Sequence, residues 1–574
     1  METVMSLVTA FNGIVWGPWT LYMLLGTGIL FTIWTKFSQF RVMSHGVSVT
    51  RGVYDDPHDP GAINHFQALS AALSATIGLG NIGGVAIAVS LGGPGAVFWM
   101  WLVGFFGMAL KTVEITLTMM FRNTDDPHDP HGGAMWVIDR TLGKKGGAAK
   151  VLAKTIGVIF CITLVIMTIA GGNMFQTWNV ADLSETYFGI PRIATGITLA
   201  VLVGLVIIGG IERIGHVAGR LVPIMCTLYL IAALAVLALN VTQIPGLLLL
   251  IVKSAFSATE ASGAFLGGST GFAFAQGMKR ALFSNEAGLG SAPIAHAAAR
   301  TNEPAREGIV GGMGPFIDTI CICTLTALVI LSTGTWNRGP VGELNGGVAL
   351  VTEGEVTRLQ ASTSVSDLPE LPVNEAWSVN SKLFVLIDVA NEDGTSDRKQ
   401  VYGTVVANDL GKPESVSWDD VPANASLVST DETASPGIFK DYAGATLTGH
   451  AFDRAFPGLG KWLVTIAAWM FAISTMISWS YYGEQGVIYM FGKKGVLPYK
   501  IIYLLLAIVG AFVVKNNAEL GNLADFGTGG MLIANMVIVL TMGFLAVRAL
   551  DSYFERLDAG AFKRHAPTKL PWAE

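Results

Sequence analysis

The stretch Ser74-Ala75-Thr76-Ile77-Gly78-Leu79-Gly80-Asn81-Ile82-Gly83-Gly84 sits in the middle of an apolar segment, roughly Phe66 to Leu91, that reads as a membrane-spanning helix. Each of its four glycines weakens a helix by ~1 kcal/mol relative to alanine. In lipid, non-helical backbone persists only where protein buries it or where it lines a watery cavity. The stretch is therefore either a close helix–helix contact of the small-xxx-small kind, or a break that exposes backbone N–H and C=O to a ligand.

Hydrophobic residues make up 51% of the 574, and charged ones only 14%, against about 25% charged in a soluble globular chain. With a mean hydropathy of +0.53, this is the composition of a polytopic membrane protein. The net charge of −6 is unevenly spread. Arg338 to Arg454 holds 18 acidic and 8 basic residues, so the remainder carries +4. A slightly basic membrane body is thus joined to an acidic, polar insert. The four cysteines, Cys161, Cys226, Cys321 and Cys323, fall in apolar spans and form neither a disulfide framework nor a zinc spacing. The first apolar run, about Trp16 to Trp34, lacks a basic leader and a small-residue cleavage site, so it reads as an uncleaved helix.

At ~20 apolar residues per crossing, about eleven spans are expected. They lie near 16–35, 66–91, 94–121, 153–178, 190–210, 217–240, 266–296 (interrupted), 308–333, 459–482, 498–515 and 527–548. Basic residues mark alternate loops: Lys36, Arg41 and Arg51, then Arg122, Arg140, Lys144, Lys145 and Lys150. Arg213 and Arg220, Arg300 and Arg306, Lys493 and Lys494, and finally Arg548, Arg556, Lys563 and Arg564 continue the series. The positive-inside rule makes these loops cytoplasmic, with the N-terminus outside and the C-terminus inside the cell (inner) membrane. The insert, about Thr335 to Leu459, then faces outward. Its stretches Lys382–Asp388 and Gln400–Ala407 are β-rich and bounded by turn residues Asn391, Asp393, Gly394, Asp409, Gly411 and Pro413. It reads as a decorative loop or as a regulatory or substrate-capturing cap.

A second anomalous span runs from Gly263 through Gly267, Gly268 and Gly271 to Phe283-Ser284-Asn285-Glu286-Ala287-Gly288-Leu289-Gly290-Ser291. It repeats the Gly-Leu-Gly of residues 78–80 and carries Lys279, Arg280 and Glu286. Counted from the second span, the two breaks fall in helices one and six. Interrupted segments at matching places in two five-helix halves are the sequence mark of an inverted-repeat transporter site. Half-helix N-termini present N–H groups and a positive dipole end to a carboxylate, and unwound carbonyls hold a small cation. Ser474 and Thr475 add two adjacent hydroxyls on a later helix, unless they bond back to their own helix carbonyls. Asn173 and Gln176 need polar partners in the bilayer, and Trp479 is placed to floor a pocket. Lys111 and Glu114, spaced i,i+3, are expected to satisfy each other. Asp318 is an ionisable residue within an apolar helix, which reads as functional or as a hydrogen-bonded structural group, and Lys279 and Arg280 either gate the outer side or face water.

Several of these stretches resemble the alanine or glycine:cation symporter family. They are Gly78-x-Gly80-Asn81-Ile82, Gly92-Gly-Pro-Gly-Ala-Val-Phe98-Trp99-Met100-Trp101, Phe283-Ser-Asn-Glu-Ala-Gly-x-Gly-Ser-Ala-Pro293 and Ser474-Thr475-x3-Trp479-Ser-Tyr-Tyr-Gly-Glu484. The resemblance covers about four-fifths of the chain. It implies an all-α polytopic membrane protein of the leucine-transporter-like fold. About eleven transmembrane helices form a 5+5 inverted repeat, with broken first and sixth core helices and an extra N-terminal helix, plus a small β-rich extracellular insert. The resulting partition is 1–60 (extra helix and cytoplasmic loop), 61–334 and 459–550 (the two parts of the transporter core), 335–458 (insert) and 551–574 (cytoplasmic tail).

By the same resemblance, Gly78 and Gly80 would offer backbone N–H to a substrate carboxylate, while Thr76, Gln176, Phe283 and Trp479 would line the pocket. Backbone oxygens of Ser74 and Ile77, with the hydroxyls of Ser474 and Thr475, would hold a coupling Na+. Thr76 and Asn81 match a second sodium site of related families. Three features depart from the family pattern. Gly104 replaces a slightly larger small residue, the insert replaces a short loop, and Asp55-Asp-Pro-His58-Asp-Pro recurs as Asp125-Asp-Pro-His128-Asp-Pro. The duplicated motif reads as Asp-Pro turns or as a metal- or pH-sensitive latch. The function implied is sodium-coupled import of small neutral amino acids (alanine, glycine) by alternating access. The expected partners are that amino acid and the lipid bilayer, with no nucleic acid. The alternatives are a membrane sensor that binds a ligand through the insert, a sodium-conducting channel, and an intramembrane enzyme. For the last, no His-Glu-x-x-His, Gly-x-Ser-x-Gly or paired catalytic aspartates are present.

Overall fold

The computed structural model describes residues 2–256, 270–343, 348–353, 356–361, 364–371, 377, 379, 381–390, 396–408, 412–422, 424–428, 437–442, 444–513 and 517–565. The glycines at 263, 267 and 268 and the turn residues Asn391, Asp393, Gly394, Asp409 and Gly411 lie outside the described residues.

The membrane body opens with α1 (Glu2–Val15) and α2 (Pro18–Trp34), followed by α3 (Ser38–Thr50). The first broken helix comprises α4 (His65–Thr76), a π-helical turn at Gly80–Gly84 and α5 (Val85–Gly92). Then come α6 (Gly95–Phe121), α7 (Ala134–Thr141), α8 (Gly147–Ile169), α9 (Phe175–Phe188), α10 (Arg192–Ile207), α11 (Gly210–Leu239) and α12 (Ile244–Ser254). The second broken helix is α13 (Thr270–Asn285) with α14 (Ala292–His296), followed by α15 (Pro304–Gly312) and α16 (Thr324–Ser332). After the strands the chain returns through α17 (Ala445–Ala455), α18 (Leu459–Phe491), α19 (Val496–Phe512) and α20 (Asn517–Asp558). Among the described residues, seven helices are long and apolar enough to cross a membrane, or nine if each of two bent pairs counts as one span. The bent pairs are α1–α2 at 48° and the α4/α5 break at 51°.

Local chemistry accounts for the first break. Asn64 and Gln67 form a capping box at the start of α4: the Asn64 side chain accepts from Gln67 N at 2.8 Å, and the Gln67 side chain accepts from Asn64 N at 3.1 Å. At the other end Ile77 leaves helical geometry (φ −76°, ψ 98°). A Cβ on Gly78 would stand 2.9 Å from Thr475 Oγ1, so only glycine lets this turn approach α18 so closely.

The second break is a positive-φ turn. Glu286, Gly288 and Gly290 adopt φ of +56°, +88° and +80°. The turn ends at α14, which has Pro293 in its first turn.

Between α16 and α17 lie β1 (Gly342–Glu343), β2 (Val348–Glu353), β3 (Val356–Ala361), β4 (Lys382–Ala390), β5 (Ser396–Ala407), β6 (Pro413–Trp418), β7 (Ala425–Leu427) and β8 (Gly437–Lys440). The antiparallel sheet runs β1-β8-β4-β5-β6, with β7 also paired to β4, and β2–β3 is a separate hairpin. Lys382 faces Thr404 in the β4–β5 register. Leu383, Val385, Ile387, Val401, Val405 and Val416 bury a small apolar core of its own, as period-2 alternation of β-branched residues requires. The sheet is tied to the first break. α17 follows β8 in the chain, and its Thr448 Oγ1 donates to Ile82 O at 3.0 Å. Gly444 lies against Gly83.

Candidate functional site

A cavity of about 2090 Å³ runs from the first break to the strands. All six residues expected to line a substrate pocket border it: Thr76, Gly78, Gly80, Gln176, Phe283 and Trp479. Trp479 is 3% exposed and packs edge-on against Tyr482 at 5.2 Å. Gly172 leaves room for its indole. Gln176 Nε2 donates to Gly171 O at 3.0 Å, while its buried Oε1 has no hydrogen-bond partner among the described residues. Thr76 Oγ1 turns back to Leu73 O at 3.3 Å. Phe283 stacks on Trp16, with centroids 6.0 Å apart. The N-terminal helix pair is thereby anchored next to the cavity.

Three of the expected cation-site groups draw together, two hydroxyls around one carbonyl. Thr475 Oγ1 and Ser474 Oγ donate to Ser74 O at 3.3 and 3.4 Å. Ser474 Oγ also lies 2.9 Å from Phe471 O, while Ser74 Oγ donates to Ser474 O at 2.6 Å. Both hydroxyls of α18 therefore reach across to the broken helix, and only Ser474 also bonds back within its own helix. Ile77 is fully buried beside them in sequence, and its ψ turns its carbonyl off the helix axis.

Asn81 is placed differently from Thr76, and no hydrogen bond joins the two among the described residues. The Asn81 carboxamide oxygen accepts from Gly78 N at 2.9 Å. Its NH2 donates to Ser284 Oγ at 3.2 Å and to Asp318 Oδ1. Asp318 is also held by Ser284 and by Thr319 Oγ1 at 3.0 Å, so it is hydrogen-bonded, as one of its two readings has it. Asn81 thus stitches the two breaks together. Of the two glycines expected to face a carboxylate, Gly78 already has an internal acceptor.

The expected Lys111–Glu114 pairing is corrected by the structure. Lys111 Nζ donates to Asn285 O at 2.7 Å. The Glu114 carboxylate accepts from Gly290 N at 2.6 Å, from Gly288 N at 3.3 Å and from Asn535 Nδ2. Spacing on one helix face had suggested a pair, but the unsatisfied N–H groups of the second break are better partners for the carboxylate than an ammonium that has a carbonyl nearby. The second Gly-Leu-Gly thus has a resident carboxylate, whereas the first borders the cavity.

Other cavity-lining residues carried weaker signals or none. Glu286 faces the cavity with its carboxylate accepting from Ser291 Oγ at 2.6 Å. Arg280 and Asp525 line it as well, but Lys279 does not. For Asp525 the available clue was a polar residue within an apolar helix.

Val379, Ser381, Lys382 and Thr404 border the mouth of the same cavity.

Comparison with known proteins fits this geometry. The sequence pattern described as the sodium:alanine symporter family matches residues 1–365 and 423–567, so 366–422 is additional to it. The chain is similar to the sodium/alanine symporter AgcS of Methanococcus maripaludis, 34% identical over 96% of this chain and 97% of that one. It is 29% identical to a putative sodium/proton-dependent alanine carrier protein, YrbD, of Bacillus subtilis, over 96% and 93% of the two chains. A probable sodium/glutamine symporter of the same bacterium, GlnT, is 36% identical over 57% of this chain and 65% of its own. The chain belongs to the sodium:alanine symporter family, whose members are cation-coupled amino-acid transporters and not enzymes.

Proposed function

We propose that the chain is a sodium-coupled symporter that carries small neutral amino acids, alanine or glycine, into the cell by alternating access. In this reading eleven spans form a 5+5 inverted repeat. Helices one and six of it are the two broken ones, the N-terminal helix is an addition, and the insert is an outward-facing cap. The span at 190–210 corresponds to α10, and the span at 266–296 falls partly outside the described residues. The N-terminus lies outside, the basic loops and C-terminus are cytoplasmic, and the segments 61–334 and 459–550 make up the transporting core.

The observation that carries this reading is the meeting of two breaks beside one cavity, with the Ser74 carbonyl facing the two hydroxyls of α18. Sodium held by Ser74 O, Ile77 O, Ser474 Oγ and Thr475 Oγ1 would bind best when α4 lies against α18. Coupling requires such a difference in affinity between conformations. The amino-acid carboxylate would meet the Gly80 N–H and, on displacing the Asn81 carboxamide oxygen, the Gly78 N–H, and the ammonium would meet Gln176 Oε1. Thr76, Phe283 and Trp479 would bound a small side chain. A second ion at Thr76 and Asn81 would have to displace Gly78 N–H from the Asn81 carboxamide oxygen.

The double variant Ser474→Ala with Thr475→Ala is expected to abolish sodium-stimulated alanine uptake in proteoliposomes at unchanged protein yield. Uptake equal to the parent's would refute the cation site. The sensor alternative has no support among the relatives, whose names are those of transporters.

A further inference from the structure

On the face that carries the arginine-rich loops, a second polar cluster lies outside the transport cavity. Glu307, in the first turn of α15, is fully buried. One of its oxygens meets Nδ1 of His65, the first residue of α4, and the other meets Nδ1 of His296, the last residue of α14, at 2.5 Å. His65 and His296 are 1% and 0% exposed. A single carboxylate thus clamps the inner halves of both broken helices to α15.

The far nitrogens of the two imidazoles differ. Neither Nε2 has a hydrogen-bond partner among the described residues. His65 Nε2 lies 3.7 Å from Asp55 Oδ1, which is itself buried and unpartnered. Burial pushes the Asp55 carboxyl up from its ordinary value, and His65 pulls it back down. His296 Nε2 faces Gly311, where an added Cβ would stand 3.0 Å away. A proton added at His65 Nε2 finds a carboxylate on either side of the ring, while one added at His296 finds no second acceptor.

The surrounding charges leave this arrangement in place. Arg122 donates to the carbonyls of Ala297, Ala299, Thr301 and Pro60. Arg306 bonds Tyr54 O and Arg300 bonds Gly61 O. Asp59 accepts from Asn302. On the other packed helices, Lys111 and Glu114 hold the second break, Glu484 of α18 pairs with Lys500 at 3.0 Å, and His45 of α3 meets Tyr553. The charged residues of α11 on this side, Glu212, Arg213 and Arg220, and its His216 are exposed.

We propose that His65, Glu307, His296 and Asp55 form a binding site for one proton, taken up at His65, that locks the inner ends of the two broken helices together. Asp55 belongs to the first copy of the duplicated Asp-Asp-Pro-His-Asp-Pro motif, which gives that copy a role beyond its turn. Gly61, next after the first copy, donates its N–H to Pro127 O of the second at 2.9 Å. The charged imidazole favours the clamped state, so opening on this face releases the proton and acid on this side slows the cycle. The effect on transport rests on the symporter reading, but the binding site does not.

The test uses the reconstituted full chain with pH set independently on each side. Lowering pH on the arginine-rich face from about 7.5 to about 5.5 is expected to slow sodium-driven alanine uptake about fivefold. It is also expected to raise hydrogen-exchange protection of residues 65–76 and 292–296. His65→Asn keeps a donor toward Glu307 but cannot take the proton, so both responses become flat. Glu307→Gln flattens them too and serves as the second variant should His65→Asn fold poorly. The double variant His58→Asn, His128→Asn, at exposed sites, keeps both. A parental pH response retained in His65→Asn or in Glu307→Gln, or a parent that is flat in both readouts, overturns the proposal. Uptake absent at every pH, with exchange still following pH, overturns the transport reading and leaves the proton site standing.

Discussion

Glu114→Ala is expected to leave almost no folded protein. Its carboxylate is the acceptor for Gly288 N, Gly290 N and Asn535 Nδ2, all buried. Stranding each of the two backbone donors costs about 1–3 kcal/mol, while Asn535 Nδ2 keeps its second acceptor, Gly288 O. Lys111, 2% exposed, would lose one of the anions that face it, with Glu286 and Asp318 remaining. Together these approach the lower end of the ~5–15 kcal/mol that holds a typical protein folded. Glu114→Gln keeps one acceptor oxygen and is expected to fold with a lowered melting temperature. Size-exclusion profiles and thermal melts in detergent check both. A Glu114→Ala protein that melts with the parent would show that the second break does not depend on this carboxylate.

Gly78→Ala and Gly80→Ala are expected to separate ion from substrate. The new methyl at 78 meets Thr475 Oγ1 at 2.9 Å and must push that hydroxyl off Ser74 O. At the proposed cation site sodium would then lose an oxygen, and its apparent affinity is expected to fall tenfold or more, about 1.4 kcal/mol per decade. At 80 a methyl has nothing within 4 Å, because that position opens on the cavity. There the sodium dependence should stay near the parent's while KM for alanine rises, since the methyl takes substrate space. Uptake titrated separately with sodium and with alanine distinguishes the two. The same pattern in both variants would mean that the two glycines do not face different ligands.

Both breaks were legible because glycine in mid-membrane has few explanations, and the repeated Gly-Leu-Gly singled out the same chemistry twice. Ser474 and Thr475 were legible as a pair of hydroxyls in an apolar helix, although only the fold decides between their own helix and Ser74. The β-rich runs 382–388 and 400–407, bounded by turn residues, marked two strands that extend further, over 382–390 and 396–407. The partner of Glu114 was not legible. A carboxylate chooses among all donors that folding brings near it, and those donors sit 174 and 176 residues away in the chain. Helical spacing reports only neighbours on the same helix, and it pointed to Lys111. The His65–Glu307–His296 cluster was hidden for the same reason. Each residue alone sits at a helix end, where a polar side chain is unremarked. Asn81 was read as an ion ligand, but its side chain in this structure serves the backbone of Gly78 and the carboxylate of Asp318.

The link from β8 through α17 to Ile82 has a practical consequence. Because Thr448 grips a carbonyl inside the π-helical turn, and Ser381, Lys382 and Thr404 border the cavity, the sheet sits where a tilt of α5 is expected to be felt. An antibody fragment raised against that sheet would act as a brake or a wedge on the transporter without entering it. A spin label on the exposed strand β6 would report each turnover from a position that reagents reach freely.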